Sequence, residues 1–157
     1  MRYDGKHKRN VCVTERLSKH FDWFPVCPEV AIGLGVPRPP VHLVESYDNI
    51  HALGVEDAAI NVTRALQAYA SQCVDQLDDV SGYVFKSRSP SCGPGDTDLF
   101  NVEGEVIGKT SGIFAAVVHD LLPTLPLIDE MRLEDPAACE AFIQQVKDYQ
   151  SAMRGSV

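Results

Sequence analysis

The sequence contains no apolar run of roughly 18 residues, which excludes a hydrophobic helix long enough to cross a bilayer. Behind the charged start Met1-Arg2-Tyr3-Asp4-Gly5-Lys6 there is no apolar segment. No signal peptide is therefore expected, and the cytoplasm is the expected location. No internal repeat and no low-complexity linker divides the chain, so a single domain over 1–157 is expected. The spacings C-x-x-C and H-E-x-x-H are missing, and with them the usual signature of a zinc knuckle or zinc protease. His7, His20, His42, His51 and His119 are scattered without ligand spacing. Gly33-Leu34-Gly35 lacks the third glycine and the following helix of a dinucleotide-binding loop. Positive charge is scarce: 14 Lys and Arg face 22 Asp and Glu, for a net charge of -8, which argues against a general nucleic-acid coat.

What is present is an ordinary globular composition, 45% hydrophobic and 23% charged. The charge is uneven, because most of the acidic excess lies beyond residue 50. Arg2, Lys6, His7, Lys8 and Arg9 form a local basic spot, read either as a solvated arm or as an anion-attracting rim. The five cysteines, Cys12, Cys27, Cys73, Cys92 and Cys139, are odd in number and irregular in spacing, which argues against a disulfide framework. In a reducing compartment they act as buried hydrophobes, metal ligands or nucleophiles.

The local patterns predict helices at 14–21, at 61–77 behind Asn61, and from Ser111 to Leu121. A last helix starts behind Asp135-Pro136. Strands are expected at 23–26, 41–44, 82–85 and 125–127, with a rigid Gly/Pro loop at 33–40 and a long loop from 87 to about 95. Strands alternating with helices predict an α/β domain, a mainly parallel sheet flanked by helices. Ligands in such folds sit beyond the carboxyl ends of the strands. Two expected strands end at Val26 and Lys86, and each leads into a cysteine-bearing loop, so both loops are expected at one crevice.

Cys27 lies in Val26-Cys27-Pro28-Glu29. The following proline keeps Cys27 extended, and Glu29 is near enough to share its site. Cys92 lies in Ser89-Pro90-Ser91-Cys92-Gly93, where glycine permits a tight turn with N–H groups available to an anion. Cys73 and Cys139 fall on apolar helix faces and are expected in the core, whereas Cys12 is left open. The sequon Asn61-Val62-Thr63 is better explained as a helix start.

The stretches RYDGKHKR at 2–9, PVCPE at 25–29, GLGVPRPP at 33–40, GYVFKSRSPSCG at 82–93, SGIFAA at 111–116 and RLEDPAACEAFIQQV at 132–146 together resemble the thiouracil desulfurase family, first described as a domain of unknown function. The later stretches are most similar to the desulfurase half of two-domain members linked to 4-thiouridine in tRNA. The resemblance implies a 4Fe–4S cluster held by three cysteines, with one iron open to the substrate sulfur. It assigns Cys27 and Cys92 as ligands and Glu29 and Ser89 as the catalytic carboxylate and serine. In the family the third ligand precedes the Arg-Tyr-Asp-Gly motif, on which this chain begins. That ligand and its strand are accordingly expected upstream of Met1. Cys12, on the other side of the motif, is a poor substitute, and the cluster is expected to be absent or unstable in the chain as given.

The implied chemistry is non-redox hydrolysis of C=S to C=O. Thiolate-bound iron is soft and prefers sulfur, and bound iron acts as a Lewis acid on the ring carbon. Glu29 activates water and Ser89 holds or relays the proton. A thiolated pyrimidine is the expected partner, as base, nucleoside or within tRNA, although the acidic charge gives tRNA little support. Two other readings stand beside it: a cluster-free binding module or relic of the family, and a zinc protein using Cys12, Cys27 and Cys92.

Overall fold

The structure, a computed structural model, describes residue 4 and residues 9–77 and 79–154. Of the basic spot, Arg2, Lys6, His7 and Lys8 lie outside the described residues. Arg9 lies within them and pairs with Glu15 at 3.1 Å.

The chain is an α/β domain, but the sheet is mixed rather than mainly parallel. β1 (Val41–Ser46), β2 (Asn49–Gly54), β4 (Thr97–Phe100) and β5 (Val106–Thr110) form one sheet in the order β2-β1-β4-β5. Within it β1/β2 and β4/β5 are antiparallel and only β1/β4 is parallel. β3 (Tyr83–Phe85) and β6 (Leu127–Asp129) pair in parallel as a separate two-stranded sheet. The expectation of a mainly parallel sheet fails because two hairpins went unread. Antiparallel neighbours need only a tight turn, not a crossover helix. In the first hairpin, Tyr47 and Asp48 both take positive φ, 50° and 59°, the turn geometry that matches strand twist. In the second, Asn101 Oδ1 accepts from the Glu103 and Glu105 N–H groups, at 3.1 and 2.8 Å, and Gly104 supplies φ 85°.

The helices follow the sequence more closely. α2 (Thr63–Val74) buries Leu66, Ala70 and Cys73 on one face, while Asn61 Oδ1 accepts from Thr63 N at 3.1 Å. α3 (Ile113–Leu121) buries Phe114 and Val118. α4 (Pro136–Arg154) starts where Asp135 Oδ1 accepts from Ala137 N at 3.1 Å and buries Cys139, Phe142, Ile143 and Val146. The expected helix at 14–21 is instead one π turn, Cys12–Arg16, running into a tight turn, Leu17–Lys19. Asn10 Oδ1 caps it, accepting from Val13 N at 3.1 Å. Leu17 is fully buried.

The expected strand at 23–26 does not form. Pro25 has no N–H to give to a ladder, Phe24 is 68% exposed, and Trp23 Nε1 donates to Ser18 Oγ at 2.8 Å. A short helix follows instead, α1 (Pro28–Ala31), with Cys27 as its N-terminal flank.

Three apolar clusters hold these layers together. One joins Cys12 and Leu17 to α4; one packs α2 against α3, Phe85 and Cys92; one packs the main sheet on α2 through Leu43, Ala52 and Leu66. Cys12 belongs to the first cluster. Its Sγ lies 3.1 Å from Cys139 Sγ, and burial, reinforced by that contact, pushes its thiol up to about 11.

Phe114 is fully buried where α3 meets Tyr69 and Tyr83. Phe114→Ala is expected to cost about 3–5 kcal/mol in urea denaturation, whereas Phe24→Ala is expected to stay within about 0.5 kcal/mol. Equal losses at both positions would refute this layering.

Candidate active site

Cys27 is extended, with φ -127° and ψ 96°, and its carbonyl accepts from Ala31 N at 3.0 Å. Pro28 begins α1 with its ring set for helix entry. That entry turns Glu29 inward. Its side chain is 12% exposed and its carboxylate is engaged at both oxygens. Arg38 Nε donates to Oε2 at 2.6 Å, and Ser91 Oγ donates to Oε1 at 2.8 Å. Arg38 comes from the 33–40 loop, where Gly33 and Gly35 supply φ of 92° and 74°. Its Nη1 donates to the Gly35 carbonyl at 3.3 Å, and its Nη2 lies 4.0 Å from Cys27 Sγ.

The second loop is built on β3 and closed by α3. At its start Ser87 donates through both N and Oγ to the Glu130 carboxylate, each at 2.7 Å, and Lys86 pairs with the same group. Ser89 Oγ accepts from Cys92 N at 3.0 Å and Ser91 N at 3.3 Å. The first turn of α3 spends its otherwise unpaired amides on this loop. Gly112 N donates to the Gly93 carbonyl, Ile113 N to Pro90 and Ala115 N to Ser91, at 2.8, 3.0 and 3.0 Å. Two glycines make the closure possible. A Cβ on Gly112 would lie 2.4 Å from the Ser91 carbonyl carbon, and one on Gly93 would lie 2.0 Å from Thr97 Oγ1.

The loop's N–H groups therefore do not face an anion as expected. Gly93 N donates to the Ser89 carbonyl at 2.8 Å and Gly95 N to the Gly93 carbonyl at 3.1 Å.

The two cysteine loops meet through Glu29 and Ser91. Ser91 has one hydroxyl proton and gives it to Glu29, so Ser89, 3.0 Å away, must be the donor between the two serines. The result is a directed chain, Ser89 to Ser91 to Glu29. Cys92 is buried, and desolvation pushes its thiol up to about 12. The nearby Glu29 and Cys27 add to that rise.

Tyr83 and Tyr69 also border the cysteines and were not singled out by sequence. Burial raises both phenols; nearby Cys92 then adds most for Tyr83, and nearby Cys73 for Tyr69. Cys73, read as core, is buried, and that burial raises its thiol. Ser91 and Arg38 carry a weak local signal, a second hydroxyl and a lone cation between prolines, and only the fold assigns them to Glu29.

A groove of ≈ 800 Å³ runs along β3, lined by Pro25, Tyr83, Val84, Phe142 and Val146 but by no residue of β6.

With that geometry in view, the sequence matches the 2-thiouracil desulfurase family over residues 1–130. The chain belongs to this family. Among solved structures, it is similar to a protein described as the 4Fe–4S-dependent thiouracil desulfidase TudS. The two share 25% identity at a TM-score of 0.62, over 88% of this chain and 87% of that one. No curated protein matches the chain.

Two buried or half-buried thiols, Cys27 and Cys92, are the donor type that family's iron requires. Among the described residues no group of three or more His, Cys, Asp or Glu side chains is placed to hold a metal ion. The donors thus fit iron in kind and fall short in number. Cys12 does not complete the set, because its sulfur is committed to Cys139 in another cluster. That removes the basis of the zinc reading.

Glu130 anchors the loop and supplies a pH test. Burial alone would raise its carboxyl, but Lys86 and the two Ser87 donors outweigh burial and hold it below the ordinary 4.5. A lowered carboxyl stabilises the fold fully above its unfolded value and loses that contribution as pH falls through the folded one. The protein should therefore lose stability as pH drops below 4.5, and Glu130→Gln should flatten that slope. At neutral pH the same substitution should cost about 1–3 kcal/mol in urea denaturation. An unchanged acid limb would contradict the anchoring role.

Proposed function

We propose that this chain removes sulfur from a thiolated uracil by hydrolysis, converting C=S to C=O without net redox change. The observation that carries the reading is the carboxylate of Glu29, fixed between Arg38 and Ser91 beside Cys27 and Cys92, in a member of the 2-thiouracil desulfurase family.

Cys27 and Cys92 would hold the 4Fe–4S cluster. A bound cluster with one open iron supplies a soft Lewis acid for the substrate sulfur. A cluster of this kind needs a third thiolate, and the described residues place none beside these two.

Glu29 accepts a proton from water, whose oxygen becomes the new carbonyl oxygen while sulfur departs as hydrosulfide. Each carboxylate oxygen retains a second lone pair after its bond to Arg38 or Ser91, so the base stays available. Ser89 holds the relay proton and reaches Glu29 by way of Ser91. The tilted rings of Tyr83 and Phe85, with centroids 4.5 Å apart, belong to the apolar cluster that encloses Cys92. Thiouracil as free base or nucleoside is the preferred substrate; an acidic chain suits tRNA less well. Five free cysteines suit the reducing cytoplasm.

The alternative is a cluster-free binding module of the same family, and the shortage of a third thiolate among the described residues favours it. Anaerobic iron and sulfide reconstitution separates the two. With two thiolates alone the protein should retain far fewer than about four irons, and a form with a complete ligand set should load fully and release uracil from thiouracil. In that loaded form Glu29→Gln should keep its iron and lose at least ~100-fold in turnover, and Cys92→Ala should lose both. A protein that neither loads iron nor releases uracil would leave the binding module as the reading.

A further inference from the structure

Arg38 is buried to 4% exposure of its side chain, among the most enclosed charges of the described residues, and the family reading gives it no role. Among its contacts, Nε reaches Glu29 Oε2 at 2.6 Å, Nη1 the Gly35 carbonyl at 3.3 Å, and Nη2 lies 4.0 Å from Cys27 Sγ. Fixing an arginine this way costs rotamer freedom, and a buried ion pair returns little net stability against an apolar replacement. Its gain is geometric.

We infer that Arg38 is the positioning residue for the general base. It holds the Glu29 carboxylate in one rotamer and one plane, so that an unused lone pair faces the reacting carbon's water. Ser91 fixes the other oxygen, and neither bond alone sets the plane. The GLGVPRPP loop serves this end. Its positive-φ glycines and its prolines make a stiff arm that presents the guanidinium, and the Gly35 carbonyl locks it. Lysine lacks the diverging fork and cannot bind Glu29 and Gly35 with the same rigidity.

This inference rests on the desulfurase reading, so its test is a double-mutant cycle with two readouts. The forms are parent, Arg38→Met, Glu29→Gln and the double variant, each in the iron-loaded protein. Arg38→Met should lower kcat at least ~30-fold while KM for thiouracil moves less than about threefold, since the arginine acts on the base and not on the substrate. Arg38→Lys should not restore kcat. In the Glu29→Gln background, Arg38→Met should cost less than about twofold, because its effect runs through Glu29.

Melting of the same four forms without iron is the second readout. Arg38→Met should lower Tm by leaving a buried carboxylate unpaired, and Glu29→Gln should recover much of that loss. An active parent with Arg38→Met near normal, or with losses that multiply across the cycle, overturns the inference. A loaded parent that releases no uracil overturns the desulfurase reading and this extension together. Additive melting losses would deny even the Arg38–Glu29 coupling.

Discussion

A carboxylate taken out of water must be given partners, and that requirement organises the functional end of this molecule. Glu29 sits on a helix of four residues, too short to place a side chain by itself. It is placed by two bonds that come from distant sequence, Arg38 on one oxygen and Ser91 on the other. Those bonds draw the 33–40 loop, the cysteine at position 27 and the loop of Cys92 to one point. Breaking one of them would strand a buried charge, which is far more costly than the net worth of the pair.

The second loop can meet that point only because α3 holds it from behind. Three amides of the helix's first turn bind three loop carbonyls, so the helix end and the loop satisfy each other. Gly93 and Gly112 leave room for backbones to touch, and Ser89 closes the turn around Cys92 with its hydroxyl oxygen. The serine expected to handle protons is thus also a structural latch, while Ser91 makes the direct contact with the base. Both roles fit in one chain of hydroxyls because each hydroxyl can donate once and accept twice.

Much of this was legible in the sequence, and what was missed has physical causes. α2, α3 and α4 announce themselves through apolar spacing and, at Asp135-Pro136, through start residues. Cys27, Glu29, Ser89 and Cys92 are visible because PVCPE and SPSCG are short, distinctive motifs. The hairpins were hidden because Tyr47-Asp48 is not a typical turn pair and because β5 leaves Val106 and Ile107 exposed, which blurs the alternation of a half-buried strand. Trp23 to Val26 has strand composition but finds no ladder partner among the described residues. Arg38 carried only a weak local signal, a lone cation between prolines, and its value lies in the eight residues between it and Glu29 being folded back. The commitment of Cys12 to Cys139 is equally a property of tertiary contact.

The central claim is that Cys27 and Cys92 face one site bridged by Glu29, with Cys12 elsewhere. Anaerobic reaction of the native protein with a bifunctional thiol-bridging bimane, followed by peptide mass spectrometry, tests it most directly. The account predicts a bridged peptide joining Cys27 to Cys92 and none joining Cys12 to either. Single alkylation of both cysteines without a bridge, or a bridge from Cys12 to Cys27, would contradict it.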